Sequence, residues 1–119
     1  MKRLLIVDDH EVVRESLANA LEGLGWDIVG TASNGEEAVS LCRELQPDVI
    51  LMDIVMPRMD GITATRLIHT QCPMIWIVIL TMNSNKETEQ AALQAGAARL
   101  LQKHSLNEIC QTLEMLPLP

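Results

Sequence analysis

The chain has no phenylalanine and no tyrosine, and its only aromatic residues of that kind are Trp26 and Trp76. The core must therefore be aliphatic, and no aromatic platform exists on which bases could stack. Basic residues are scarce, 9 against 16 acidic ones for a net charge of −7, and they are scattered. That balance argues against direct nucleic-acid binding by this segment. No stretch reaches the ~18 apolar residues of a membrane span. Lys2 and Arg3 are followed by only four apolar residues before Asp8, too few for a secretory signal. Cys42, Cys72 and Cys110 are odd in number and lack metal-ligand spacing, and His10, His69 and His104 form no ligand set. The expectation is a cytoplasmic chain with no membrane partner. Its thiols are reduced, with Cys42 and Cys110 on inner helix faces, and its histidines serve surface or cap roles.

What is present is a repeated pattern. Hydrophobic residues make up 48% of the 119, enough for a single domain burying roughly two thirds of its unfolded surface. Four short apolar runs each stop on a charged or hydroxyl residue: Leu4–Val7 on Asp8 and Asp9, Val49–Met52 on Asp53, Ile77–Leu80 on Thr81, and Leu100–Gln102 on Lys103. Short apolar runs alternating with helical stretches read as buried strands of a parallel sheet.

The stretches between them carry helical signals. Helix one is expected over about Glu11 to Leu24, stopped by Gly25, and strand two near Ile28 to Ala32. Helix two follows a cap at Ser33 or Asn34 and ends before Pro47; helix three starts near Gly61 with Asp60 as cap and is closed by Pro73. Ser84 with Glu87 and Ser105 with Glu108 have capping-box spacing for helices four and five, and strand five is expected near Ala98 to Gln102. With short connections and right-handed crossovers, the fold class is α/β, a doubly wound five-stranded parallel sheet with five helices.

In such a sheet, ligands bind outside the carboxyl ends of the strands. Three carboxylates, a hydroxyl and an ammonium should therefore meet on one rim. Carboxylates about 4 Å apart at an effective dielectric near 20 repel by roughly 4 kcal/mol, so the cluster calls for a cation or a raised pKa. Oxygen ligands without His or Cys favour Mg²⁺, which suits phosphoryl transfer, and a carboxylate can serve as nucleophile.

The residues Asp8-Asp9, Asp53, Met56-Pro57, Asp60-Gly61, Thr81, Ala95-Gly96-Ala97 and Lys103 occur in an order that resembles the receiver domains of two-component response regulators. Val7-Asp8-Asp9-His10 and Leu80-Thr81-Met82 look most like receivers attached to LuxR- or NarL-type DNA-binding domains. The resemblance implies a CheY-like, flavodoxin-like sheet of order 2-1-3-4-5, an order borrowed from the family. It also implies a receiver over residues 1–116 with a linker or tail starting at 117–119, as in a receiver cut from a longer regulator. Asp53 would be the phosphoacceptor, with Thr81 and Lys103 clamping the phosphoryl group. Mg²⁺ would be held by Asp9, Asp53 and the Val55 backbone carbonyl, with Asp8 acting mainly through water. Implied partners are a sensor histidine kinase, a second copy on phosphorylation, and a DNA-binding output domain beyond residue 119. The protein would be a regulator and not an enzyme, catalysing only its own phosphorylation and dephosphorylation.

Three positions bear on how such a switch would behave. Leu100 stands where many receivers place Tyr or Phe, which leaves no ring to swing. Val55 and Asn83, two residues after Asp53 and Thr81, are placed by the family geometry to hold or exclude hydrolytic water. His104 follows Lys103 where a Pro or Asp is usual, so the resemblance gives no cis peptide there, and Gln102 is expected at a solvent-facing edge.

Duller readings exist for each residue: a helix cap for Asp8 and Asp9, a turn carboxylate for Asp53, a strand-end hydroxyl for Thr81, a surface amine for Lys103. A haloacid-dehalogenase-type phosphatase would need an acid where Val55 stands. A pseudo-receiver acting as a protein-interaction module, without phosphorylation, is the alternative that Leu100 keeps open.

Overall fold

The computed structural model describes residues 2–118; Met1 and Pro119, the outermost residues of the expected division into 1–116 and 117–119, lie outside the described residues. Strands and helices alternate: β1 (Arg3–Val7), α1 (Glu11–Glu22), β2 (Asp27–Ala32), α2 (Gly35–Leu45), β3 (Val49–Asp53), α3 (Gly61–Gln71), β4 (Trp76–Thr81), α4 (Lys86–Ala95), β5 (Arg99–Gln102) and α5 (Leu106–Met115). All strand pairs are parallel, in the order β2-β1-β3-β4-β5. This is the expected doubly wound sheet.

Successive side chains on a strand face opposite ways, and the core divides accordingly. Leu5, Val7, Ile50, Met52, Ile77, Ile79 and Leu100 pack on one face with Ala38 and Cys42 of α2, Ala64 and Ile68 of α3 and Ala92 of α4. Leu4, Ile6, Val49, Leu51, Val78, Leu80 and Leu101 pack on the other with Leu17 and Leu21 of α1 and Ile109 and Leu113 of α5. Both faces of the central strands are thus covered, which is why their sequences are apolar throughout. Cys42 is buried in the first core and Cys110 packs partly buried against the second, as the helical periodicity suggests.

Helix ends follow local chemistry and depart in places from the expectation. α1 stops at Glu22, two residues before Leu24, because Gly25 takes a left-handed φ of 96° and the Trp26 N–H turns back to the Leu21 carbonyl. Asn34, the second of the two cap candidates, accepts from the Glu37 N–H, and Asp60 accepts from the Thr63 N–H. Neither capping box forms. α4 is capped one residue later, by Asn85 accepting from the Thr88 N–H at 2.8 Å, and Ser105 precedes α5 without a side-chain cap. β5 begins at Arg99, one residue after Ala98.

Candidate functional site

The rim at the carboxyl ends of β1, β3, β4 and β5 collects the residues that end the apolar runs. Asp8 follows Val7 directly and is almost wholly buried, whereas Asp9 is exposed. Asp53 ends β3, buried, its Oδ1 accepting from the Ile54 N–H at 2.9 Å. The turn beyond it depends on Gly61: the Gly61 N–H bonds the Ile54 carbonyl at 2.8 Å, and any Cβ at Gly61 would collide with the Asp53 carbonyl. Lys103 reaches back from β5 with its ammonium Nζ 2.6 Å from Asp8 Oδ2 and 3.2 Å from Asp53 Oδ2. It bridges two carboxylates, and the contact with Asp8 is the shorter.

Charge and burial set the protonation tendencies. Burial, then the neighbouring Asp8 charge, raise the Asp53 pKa above the ordinary carboxylate value, against the opposing pull of Lys103. Burial alone would lower the pKa of Lys103; its hydrogen bond to Asp8 and the charges of Asp53 and Asp8 outweigh burial and raise it.

Thr81 closes β4, buried, with its hydroxyl donating to the Asn83 carbonyl at 3.2 Å and its oxygen facing the Asn83 N–H at 3.3 Å. The Lys103 N–H bonds the Thr81 carbonyl at 2.8 Å, and the Gln102 amide reaches Ser84 Oγ, tying the end of the edge strand β5 to the loop after β4. An open cleft of about 610 Å³ lies above, lined by Asp9, Asp53, Val55, Thr81, Asn83 and Lys103 among others. Val55 is 78% exposed at its mouth, and Asn83 is exposed as well. Leu100 sits one layer below in the core beside Ile77, Ile79 and Ala92, 8% exposed.

Two lining residues escaped the sequence reading. His10, assigned only a surface or cap role, does stand exposed at the N-cap position of α1, but without a side-chain cap bond; its Nδ1 instead lies 3.2 Å from Asp8 Oδ1 and 3.1 Å from Asp9 Oδ1. Its position directly after the acidic pair was the available signal. Thr88, in the first turn of α4, also lines the cleft, and nothing in the sequence pattern marks it. Ligand atoms of Asp8, Asp9, His10 and Asp53 all fall within 4.8 Å of one another. Buried Asp8 Oδ2 is held by the Lys103 ammonium at 2.6 Å. A predominantly carboxylate set with excess negative charge fits a hard divalent cation of the Mg²⁺ type.

The sheet order and the acidic rim at its carboxyl edge define a CheY-like α/β domain. The chain matches the response regulator receiver domain family over residues 4–114 and belongs to that family. It is 40% identical over 118 residues to the response regulator GacA of Pseudomonas protegens, covering 98% of this chain and 55% of that protein. It is 44% identical over 106 residues to the transcriptional regulatory protein LiaR of Bacillus subtilis, covering 88% and 50%. Among solved structures, a LuxR-family two-component response regulator from Aurantimonas superposes with a TM-score of 0.89 at 35% identity, covering 94% of this chain and 81% of that one. The chain thus spans about half the length of these curated relatives. It is a receiver domain of two-component response regulators, and among the described residues no helix is long and apolar enough to cross a membrane.

Proposed function

We propose that this receiver is a phosphorylation-dependent switch in which Asp53 accepts a phosphoryl group from the phosphohistidine of a sensor kinase. The observation that carries this reading is the single bridge of Lys103 between buried Asp8 and buried Asp53, which fixes an otherwise repulsive pair at the floor of an open cleft. In the transfer, an Asp53 carboxylate oxygen forms the new O–P bond while the N–P bond of the donor breaks, and the leaving imidazole nitrogen takes up a proton. Asp9, Asp53 and the Val55 backbone carbonyl would hold Mg²⁺, with Asp8 acting through water. The ion would neutralise charge on the phosphoryl oxygens. Lys103 and Thr81 would clamp the product, for which Thr81 must exchange its bonds to Asn83 for one to a phosphoryl oxygen.

The added charge of about −1.5 to −2 biases the loop carrying Thr81 and the neighbouring helix surfaces. A second copy is the partner proposed for the phosphorylated state. The receiver unit is placed at residues 1–116 with a linker beginning at 117–119, leading to a DNA-binding output domain; the name of the LiaR relative, a transcriptional regulator, supports that output. The cytoplasm is the proposed compartment, and no catalytic activity beyond self-phosphorylation and dephosphorylation is assigned.

Mass spectrometry after incubation with acetyl phosphate and Mg²⁺ tests the reading. A phosphoryl adduct on Asp53, abolished in Asp53→Asn and in excess chelator, is expected. An adduct elsewhere refutes the assignment, and no adduct at all leaves a pseudo-receiver that works as an interaction module.

A further inference from the structure

Away from the rim, two thiols meet where α2 packs on α3. Cys42 is buried on α2, and Cys72, half-buried, ends α3 and packs against the same core. Gln46, held in a left-handed conformation at φ 49° after α2, turns its amide back over both: Nε2 donates to the Cys42 carbonyl at 3.3 Å and to Cys72 Sγ at 3.7 Å. This conformation is uncommon for a residue other than glycine, and here it lets one amide join the Cys42 backbone carbonyl to the Cys72 sulfur. Burial, then the charge and hydrogen bond of the facing Cys72 sulfur, push the Cys42 thiol up to about 12, so Cys42 keeps its proton at neutral pH. Cys110 packs against the opposite face of the sheet.

We propose that Cys42 and Cys72 form a reversible intramolecular disulfide when the protein meets a hydroperoxide, clamping the C-terminal ends of α2 and α3 together. Cys72, the more accessible sulfur, attacks the peroxide as its thiolate; the O–O bond breaks, an alcohol or water leaves with a proton, and Cys72 becomes a sulfenic acid. The Cys42 sulfur then attacks the Cys72 sulfur, the S–O bond breaks, and the hydroxyl departs as water with the Cys42 proton. Two thiols are oxidised by two electrons and one peroxide is reduced; a dithiol reverses the change. The second step accelerates as pH rises, because it needs the Cys42 thiolate. The opposite ends of the two helices are already joined by the Gly35 N–H bond to the Met59 carbonyl at 3.1 Å. The disulfide itself would close a covalent ring of residues 42–72, which contains β3 and Asp53.

The test treats the protein with hydrogen peroxide, alkylates it under denaturing conditions, and maps its peptides. A Cys42–Cys72 cross-linked peptide is expected, with Cys110 still alkylated and the melting temperature raised by about 5 °C or more, reversed by dithiol. The cross-link should persist in Cys110→Ser and vanish in both Cys72→Ser and Cys42→Ala, each checked for a native circular-dichroism spectrum. Sulfinic acid at Cys72 with Cys42 free, pairing through Cys110, or covalent dimers would each overturn the proposal. A cross-link that leaves the melting temperature unchanged would overturn the clamp.

Discussion

Replacing Asp53 with Asn should stabilise the metal-free protein. The carboxylate of buried Asp8 lies within 4.8 Å of Asp53, and at an effective dielectric near 20 it repels Asp53 by about 3.5 kcal/mol at that distance, while the charge of exposed Asp9 is screened by solvent. Lys103, at 3.2 Å, attracts it by about 5 kcal/mol on the same scale. Lys103 thus outweighs Asp8 by roughly 1.5 kcal/mol, and the cost of burying the Asp53 charge, the largest cause of its raised pKa and several kcal/mol for a buried ion, makes the balance unfavourable. Asn removes the repulsion and the burial cost, while Lys103 keeps its shorter contact with Asp8. Urea unfolding at neutral pH in chelator should show Asp53→Asn more stable by about 1 to 2 kcal/mol. Because the folded pKa of Asp53 is raised, the folded state holds this proton more tightly than the unfolded chain, and stability falls as pH rises through the window between the two values. The advantage of Asn should accordingly be absent below the ordinary carboxylate pKa of 3.8, grow across that window, and level off above the folded value. Excess Mg²⁺ should narrow or reverse the difference, since it stabilises the parent through a site that the variant has weakened. An Asp53→Asn protein less stable than the parent in chelator at neutral pH would refute the electrostatic account of the rim.

Thr81→Ala should still take up phosphate from acetyl phosphate yet lose most of the conformational response, read as phosphate-dependent change in amide exchange of the loop after β4; a full response would remove Thr81 from the switch. Leu100→Ala should cost about 2 to 5 kcal/mol in unfolding free energy, because the side chain is 8% exposed in a packed core. A loss of signalling with stability intact would contradict that. Val55→Asn should shorten the phosphoryl lifetime by about tenfold, equivalent to about 1.4 kcal/mol in barrier, by offering an amide to hydrolytic water where Val55 offers none. Loss of label from purified phosphoprotein with Mg²⁺ measures it, and equal decay of the two proteins would point to control by an external phosphatase or the kinase.

The strands and the rim were legible because a buried parallel strand must be apolar along its length, so the first polar residue after each run marks its end. That rule alone brings Asp8, Asp53 and Thr81 together; Lys103 stands one place further on, after Gln102, the polar last residue of the edge strand β5. Helix caps were less legible. Ser84 and Asn85 are adjacent residues with cap-forming side chains, and only backbone geometry decides that Asn85, with an extended φ of −148°, faces the free amides of α4. The preference of Lys103 for Asp8 depends on the spacing between two separate strands, which periodicity does not encode. The meeting of Cys42 with Cys72 depends on how α2 and α3 pack. His10 carried a positional clue, but its contact with both carboxylates follows from where α1 begins.

The division of the core into two faces makes the sheet a bulkhead. Side chains of β1, β3 and β4 point alternately into two separate compartments, one holding α2, α3 and α4 and the other α1 and α5. A disturbance among the side chains on one side can reach the other only by moving strand backbone, which the ladder of parallel pairs resists. The rim is where that isolation lapses, because there the strand ends release their residues from the alternation. Lys103 illustrates the point: its ammonium grips β1 and β3 residues while its backbone N–H holds β4. News of a charge placed on Asp53 can therefore pass to both compartments from a single edge, without rearranging either interior.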